Sequence, residues 1–202
     1  MTKPMKRIGV MGGTFDPIHI GHLVAAESAQ GALQLDEVWF MPTHVPPHKL
    51  QRSEVTSEQR VEMVRLAIES NETFHLCTWE MDHGGVSYTL ETVTWLQEQY
   101  PEVEWYWIIG GDMVNYLPKW NGINELMERI CFIGVQRPGS TWEVEELPEA
   151  WRPRIIPAPM PQIDISSTDI RTRIEEGLSI RYLVPDAVLQ YLQRWGLYEP
   201  KS

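Results

Sequence analysis

The amino-acid sequence predicts an α/β protein: a doubly wound parallel sheet with helices on both faces and a small C-terminal helical segment. Short apolar runs typical of buried strands alternate with helical patterns almost from the first residue. Three of these runs end at glycine or proline, namely at Gly12-Gly13, Pro42 and Gly110-Gly111, and the loops that follow are where a parallel sheet binds ligands. A chain of 202 residues can bury a sizeable core, so we expect a single domain over 1–202.

The first half of the chain contains three predicted strands and three predicted helices. Thr56 and Gln59 form a capping box at the start of the second helix, and Ser87 is the predicted cap of the third. The predicted strands cover 7–11, 38–41 and 74–81, and the first helix runs from Ile20 to about Leu33. Apolar residues at helical spacing form the expected buried face of the second helix: Val61, Val64 and Ile68.

The second half repeats the alternation and ends in two helices. Strands are predicted at 104–109, 130–135 and 154–158, with a polar, acidic surface loop over 138–151. The first of the two helices covers 166–176 and has Gly177 at its C′ position. The second begins at Pro185 and ends at Gly196, with one predicted apolar face made of Val188, Leu192 and Trp195.

Composition and charge narrow the class of partner. The formal net charge of −11 argues against DNA or RNA, whose binding depends on clustered lysine and arginine. No apolar stretch approaches the ~20 residues that span a bilayer, and the N-terminus lacks the apolar region of a signal peptide. We therefore expect a cytoplasmic protein without nucleic-acid or membrane partners. An anionic substrate would require a local positive site against this negative background.

The strongest chemical signal follows the first predicted strand, in the segment GGTFDPIHIGH over 12–22. Gly12-Gly13 allows the backbone to approach a ligand closely, and Asp16-Pro17 is a suitable helix start. His19 and His22 are three residues apart, so both are expected on one face of the first helical turn, with Gly21 leaving space for a bulky group. Free N–H groups at a helix start together with two imidazoles predict a polyphosphate site.

A second anion site is predicted near the C-terminus, in the segment ISSTDIR over 165–171. Hydroxyl and N–H groups at a helix start, with Arg171 one turn further on, suit a phosphate. The better-known phosphate loops GxxxxGK[ST] and GxGxxG are both absent, which argues against a P-loop kinase and a classical nicotinamide dehydrogenase.

These two segments resemble the signatures of the HxGH nucleotidylyltransferases, a Rossmann-like superfamily that transfers AMP or CMP from a nucleoside triphosphate. Within it, the chain is similar to the bacterial nicotinate-nucleotide adenylyltransferases. That similarity extends along most of the chain, through VPPHK at 45–49, SYT at 87–89, IIGGD at 108–112, LPKW at 117–120, QRPG at 136–139 and GLY at 196–198.

The resemblance implies adenylyl transfer from ATP to nicotinate mononucleotide, giving deamido-NAD and pyrophosphate, with Mg²⁺ carried on the ATP phosphates rather than in a protein cage. The implied catalytic residues are His19, His22 and Arg171, and residues 165–202 complete the ATP site. The implied ATP-binding residues are Gly12, Gly13, Thr14, Phe15, His19, His22, Gly110, Asp112, Arg137, Ser167, Thr168 and Arg171. The implied residues for the second substrate are His48, Lys49, Tyr88, Thr89, Asp112 and Trp120.

Several alternatives stay open at this point. The acceptor could be nicotinamide mononucleotide or phosphopantetheine, and the chain could be a non-catalytic nucleotide-binding module on the same fold. Asp112 could instead cap a helix, and Trp120 is one of nine tryptophans, most of which must serve packing. The sequence leaves the oligomeric state undetermined, a homo-oligomer being possible.

Overall fold

The computed structural model describes residues 4–44, 55–136 and 146–200. Within them, one parallel sheet forms the centre of the molecule, and its strand order is β3-β2-β1-β4-β5-β6. Its strands are β1 (Lys6–Gly13), β2 (Glu37–Pro42), β3 (Phe74–Leu76), β4 (Val103–Gly110), β5 (Cys131–Gln136) and β6 (Ile155–Pro159).

Helices connect these strands and cover both faces of the sheet. They are α1 (Ile20–Leu33), α2 (Ser57–Ile68), α3 (Trp79–His83), α4 (Thr89–Gln99), α5 (Gly111–Val114), α6 (Ile123–Arg129), α7 (Ser167–Glu175) and α8 (Asp186–Trp195). Short 3₁₀ helices occur at Leu117–Lys119 and Glu149–Arg154.

The central strands read as continuous apolar runs because both of their faces are buried. Along β4, Tyr106 and Ile108 enter one core cluster, whereas Trp105, Trp107 and Ile109 enter the other. This alternation is the two-residue period of a strand. The first cluster also contains apolar residues of α1, α2, α7 and α8, and the second contains those of α4 and α6. The predicted doubly wound α/β fold, with a C-terminal helical segment packed against it, is confirmed.

The strand order determines where a ligand can bind. The chain proceeds from β1 outward to β2 and β3, then returns to place β4 on the other side of β1. A crevice forms at the carboxyl ends of strands where the order reverses in this way. The loops after β1 and β4, which follow Gly13 and Gly110, therefore flank the expected site.

Some predicted elements differ from the structure. The strand expected over 74–81 ends at Leu76, because β3 is an edge strand that pairs only with β2, and the chain then turns into α3. Tyr88, rather than Ser87, is the N-cap of α4. Trp195 is 57% exposed at the end of α8, although Val188 and Leu192 are buried as predicted.

Candidate active site

The loop after β1 folds back on itself before α1 begins. Phe15 has a left-handed backbone conformation, with φ of 48°, and its ring is buried against Phe40. Such a conformation costs a non-glycine residue about 1–2 kcal/mol, so the surrounding contacts must hold it. Glycine at position 13 leaves room for the Phe15 ring in this loop conformation, because a Cβ there would lie 3.1 Å from that ring.

Helix α1 begins at Ile20, as its apolar pattern predicts. The suggested start at Asp16-Pro17 is wrong, because His19 is the N-cap of the helix. Asp16 is engaged elsewhere, since its Oδ1 accepts a hydrogen bond from the Tyr198 hydroxyl at 2.6 Å. The Ile20 N–H donates to the Leu183 carbonyl at 2.9 Å. One of the helix N–H groups expected to be free is therefore bound by the C-terminal segment.

His19 and His22 form a stacked pair, with ring centroids 3.7 Å apart and an interplanar angle of 30°. His19 is only 4% exposed, whereas His22 is half-buried. The His19 backbone N–H donates to Nδ1 of His22 at 3.2 Å, so this nitrogen is an acceptor. In a neutral ring the proton then lies on Nε2, which makes Nε2 of His22 a hydrogen-bond donor.

Gly21 lies in close contact with the His19 imidazole. A Cβ at this position would lie 3.0 Å from Nδ1 of His19 and 3.7 Å from the carbonyl oxygen of Ile165. The absence of a side chain at Gly21 thus makes room for the His19 imidazole. The same contact brings the HxGH segment against the second motif.

The second motif touches the first one directly. The Ser167 hydroxyl donates to the Pro17 carbonyl at 3.0 Å, and Nη1 of Arg171 donates to the Asp16 carbonyl at 2.7 Å. Nη2 of Arg171 donates to the Thr168 hydroxyl at 3.3 Å. A hydroxyl has a single proton, so Ser167 in this arrangement holds the first loop. The two distant segments therefore form one wall of the crevice.

Asp16 and Tyr198 link the end of the chain to this wall. Besides the bond from Tyr198, Oδ2 of Asp16 lies 3.9 Å from Nη1 of Arg171. Burial raises the pKa of Tyr198, and the negative charge of Asp16 raises it further, so the phenol keeps its proton and donates. Tyr198 is the last residue of the GLY segment, but the sequence analysis assigned it no role. Its backbone has a positive φ of 64°, which the sequence motif does not predict.

Arg60 of α2 is a second residue that the sequence did not identify. It is 3% exposed and donates to the Thr14 carbonyl at 2.7 Å and to the Thr43 carbonyl at 2.9 Å. The available signal was its spacing, because Arg60 is three and four residues before the buried Met63 and Val64. We had expected Val61 on this face, and it is only half-buried.

The residues expected to hold the second substrate lie around the start of α4 and before α6. Tyr88 caps α4 and Thr89 is its first residue, preceding the first backbone bond from Glu91 N–H to the Tyr88 carbonyl. Trp120 packs edge-on against Phe132, with ring centroids 5.8 Å apart. Within the described residues, the buried Nε1 of Trp120 has no hydrogen-bond partner. Three of these features suit a ligand: a helix start, an aromatic ring and an unpaired N–H donor.

Asp112 is exposed at the second position of α5, whose N-cap is Gly110. The alternative that Asp112 itself caps this helix is therefore wrong. A Cβ on Gly110 would lie 2.6 Å from Oδ1 of Asp112, so glycine leaves room for that carboxylate at the end of β4. The geometry is compatible with the predicted role of Asp112 as a ribose ligand.

Glu80 of α3 has a buried carboxyl that contacts α4, the helix that begins in the SYT segment. It is 3% exposed, and Oε1 accepts a hydrogen bond from the Thr92 hydroxyl at 2.7 Å. Burial raises the pKa of Glu80, opposed by the bond from Thr92. Nothing in the local sequence distinguishes this residue from a solvated glutamate.

Comparison with known proteins places this site in a family. Residues 10–173 match the Cytidylyltransferase-like family. The chain is 46% identical over 195 residues to a Bacillus pumilus protein named "Probable nicotinate-nucleotide adenylyltransferase", covering 96% of this chain and 100% of the relative. A Geobacillus thermodenitrificans protein of the same name is 44% identical over 198 residues, covering 98% of this chain and 88% of the relative.

This chain belongs to the nicotinate-nucleotide adenylyltransferase family. It is thus a nucleotidyltransferase, which contradicts the alternative of a non-catalytic module. A solved structure, Plasmodium falciparum nicotinic acid mononucleotide adenylyltransferase complexed with NaAD, has the same fold with a TM-score of 0.78 at 19% identity, covering 96% of this chain and 97% of that one.

Three predicted site residues of this family member, His48, Lys49 and Arg137, lie outside the described residues. Across residues 4–44, 55–136 and 146–200, no helix has the length and apolar character needed to cross a membrane. The same parts of the chain contain no group of three or more His, Cys, Asp or Glu side chains that could hold a metal ion.

Proposed function

We propose that this enzyme transfers the adenylyl group of ATP to nicotinate mononucleotide, giving deamido-NAD and pyrophosphate, a step of NAD biosynthesis. The observation that carries the proposal is the contact between the two anion-binding motifs. Bonds from Ser167 and Arg171 to the loop at Asp16 and Pro17 bring both motifs to one side of the crevice. A single triphosphate can then contact the histidine pair and the start of α7 together.

The reaction is a direct in-line displacement. A 5′-phosphate oxygen of nicotinate mononucleotide attacks the α-phosphorus of ATP, the bond from that phosphorus to the bridging oxygen of the β-phosphate breaks, and pyrophosphate leaves. The nucleophile is an anion at neutral pH, so the reaction needs no general base. The protein therefore contributes positioning and charge stabilisation, as is general for phosphoryl transfer.

The proposed roles follow from the donors on the crevice wall. His22 donates from Nε2 to the phosphates, beside His19. Arg171 has five N–H donors, of which the bonds to Asp16 and Thr168 use two, so the guanidinium can also bind the leaving pyrophosphate. Ser167 holds the first loop, while the Thr168 hydroxyl accepts from Arg171 and keeps its own proton for donation.

The pyridine end of the acceptor is proposed to lie between Trp120 and the start of α4. A flat aromatic cation stacks favourably on indole, and the carboxylate of nicotinate suits the first N–H groups of the helix at Thr89. Asp112 is proposed to bind a ribose hydroxyl. His48 and Lys49 are proposed to contact the phosphates, and Arg137 to lie near the adenosine.

Mg²⁺ is proposed to enter as part of the MgATP substrate. The described residues provide no cluster of metal ligands, and the Asp16 carboxylate is engaged by Tyr198 and Arg171. Mg²⁺ commonly keeps several waters and binds through substrate phosphates, which suits a site without a protein cage.

A coupled assay of deamido-NAD formation tests the proposal. The purified protein should release pyrophosphate from MgATP only when a mononucleotide is present, and nicotinate mononucleotide should be preferred over nicotinamide mononucleotide. The amide of nicotinamide mononucleotide has an NH₂ donor where the carboxylate of nicotinate has an acceptor. The N–H groups at the start of α4 would then lack an acceptor. Equal or better turnover of the amide, or turnover with phosphopantetheine alone, would assign a different acceptor.

A further inference from the structure

Arg60 is a buried cation that donates hydrogen bonds to backbone carbonyls after β1 and after β2. Its guanidinium donates to the carbonyls of Thr14 at 2.7 Å, Thr43 at 2.9 Å and His44 at 3.4 Å. Thr14 belongs to the loop after β1, whereas Thr43 and His44 follow β2. These loops are adjacent only because the two strands pair in parallel. Arg60 is thus a cross-link between them.

The charge of Arg60 is not neutralised by an ion pair in the described part of the chain, where no carboxylate lies within 4.0 Å of the guanidinium. Burial lowers the pKa of Arg60, and the more distant charge of Asp16 opposes this effect. An arginine keeps its proton in proteins, so the cation is permanent. Placing an unpaired charge in the interior is unfavourable, which points to a role other than simple packing.

The bond to Thr14 controls the direction of a peptide group in the loop after β1. This loop is called the phosphate loop, because it is proposed to bind the ATP phosphates. A trans peptide has its C=O and N–H on opposite sides. Because the Thr14 carbonyl points at Arg60, the Phe15 N–H is directed away from it. Phe15 is also the residue with a positive φ, and its ring contacts the His22 imidazole edge-on, with centroids 5.1 Å apart. Holding Thr14 therefore helps to hold His22.

The bonds to Thr43 and His44 extend the effect to the acceptor side. The His44 N–H donates to the Ser87 hydroxyl at 3.3 Å, and Nδ1 of His44 lies 3.1 Å from the Gly85 carbonyl. Ser87 begins the SYT segment that precedes α4. A displacement of His44 would therefore move the start of α4 as well.

We propose that Arg60 is a positioning residue for catalysis: its guanidinium sets the placement of the phosphate loop relative to Thr43 and His44 after β2, and it supplies fixed positive charge behind the site. This rests on the proposed function, because the loop that contains Thr14 and the start of α4, next to which His44 bonds to Ser87, are the parts assigned to the two substrates. The requirement is for a planar group with several donors. A lysine ammonium retains the charge but cannot reach three carbonyls in the same geometry.

Two variants separate these contributions. Arg60→Lys keeps the charge, whereas Arg60→Ala leaves a cavity that guanidinium ion from solution can enter. Arg7→Met is the matched control, because Arg7 also donates to a backbone carbonyl, that of Leu33 at 2.6 Å, but near the opposite end of β1. Each variant is characterised by thermal unfolding, by kcat and KM for both substrates, and by binding of a non-hydrolysable ATP analogue.

We expect Arg60→Lys to lower kcat by about 10–100-fold, the scale for misplacing catalytic groups by roughly 1 Å, with a smaller change in the KM of ATP. Guanidinium ion, at concentrations far below those that unfold the wild type, should restore part of the kcat of Arg60→Ala. Arg7→Met should keep its kcat even where its unfolding temperature falls.

A folded Arg60→Lys with wild-type kcat and KM overturns the proposal, as does a loss no larger than that of Arg7→Met. If Arg60→Ala does not fold, the comparison of kcat and KM between Arg60→Lys and Arg7→Met tests the proposal. Failure of the wild type to make deamido-NAD would count against the proposed function alone. Weaker binding of the ATP analogue to Arg60→Lys than to Arg7→Met would then still support the positioning role, and equal binding would refute it.

Discussion

The loops after β1 and β4 flank the same crevice, but different kinds of contact hold them. The loop after β1 is bound by residues far away in sequence: Ser167, Arg171 and Tyr198 are 150, 155 and 182 positions from their partners in it. After β4 the chain forms the short helix α5, where Asp112 is exposed. The side proposed for the triphosphate is thus held by the C-terminal segment, whereas the part of the proposed acceptor side that follows β4 consists of short local elements.

This difference predicts how mutations divide between the two sides. Groups held rigidly in the phosphate loop contribute most where charge develops in the transition state, so their loss should lower kcat. Groups around Trp120 and Thr89 are proposed to hold the acceptor, so their loss should raise the KM of the mononucleotide. The first two of the following predictions test this division, and the other two test contacts that hold each side.

The largest effect is expected for His22→Ala. Removing the Nε2 donor should lower kcat by about 10²–10³, the scale of losing one transition-state donor. Steady-state kinetics measure it, with His75→Ala as a control because His75 lies on the edge strand β3. Turnover of His22→Ala close to wild type would exclude the histidine from the reaction.

A smaller and different effect is expected for Trp120→Ala. Loss of the stacking surface and of the Nε1 donor should raise the KM of nicotinate mononucleotide by about 10-fold, since such contacts contribute roughly 1–2 kcal/mol. The KM of ATP should stay unchanged. Trp195→Ala is the control, because that indole is exposed on α8. An equal rise in the KM of ATP would place Trp120 outside the acceptor site.

Tyr198→Phe tests the link between the chain end and the phosphate loop. Removing the hydroxyl leaves Oδ1 of Asp16 without its 2.6 Å bond, so the free energy of unfolding should fall by about 1–2 kcal/mol. A loss of kcat of only a few-fold should accompany it, because Arg171 still holds the Asp16 carbonyl. Denaturant unfolding measures the change. The exposed Tyr182→Phe should be neutral, and an equal loss there would contradict the assignment.

The smallest effect is expected for Glu80→Gln and concerns pH. Burial raises the pKa of Glu80 in the folded protein above its unfolded value. Glu80 therefore favours the folded state most below the unfolded pKa, and this contribution is lost as pH rises through the folded pKa. Glutamine keeps an acceptor for Thr92 without the charge, so Glu80→Gln should lose less unfolding free energy over that range.

Urea unfolding measures this difference in unfolding free energy. A range from about pH 4 to about pH 8 covers the titration of a carboxyl whose pKa is raised. Glu98→Gln is the control variant, because Glu98 is exposed on α4. A Glu80→Gln profile parallel to wild type would show that the carboxyl is not perturbed by burial.

Local patterns in the sequence were sufficient for the fold and for the two motifs. Strand–helix alternation predicts the parallel sheet because each buried strand must be apolar on both faces, and β4 shows this directly. The glycines, histidines and the Ser-Ser-Thr turn were recognisable because close backbone approach and anion binding require those residue types at those spacings.

Only the tertiary structure decided which groups hold the motifs in place. The only local signal of Arg60 is its spacing on the buried face of α2, and the roles of Tyr198 and Glu80 have none, because each of the three acts through a partner in another element. The N-cap position of His19 has the same origin, since Asp16 is bound by Tyr198 instead of capping the helix. Local sequence specifies chemistry and periodicity, whereas burial and long-range hydrogen bonds exist only once the sheet has brought the loops together.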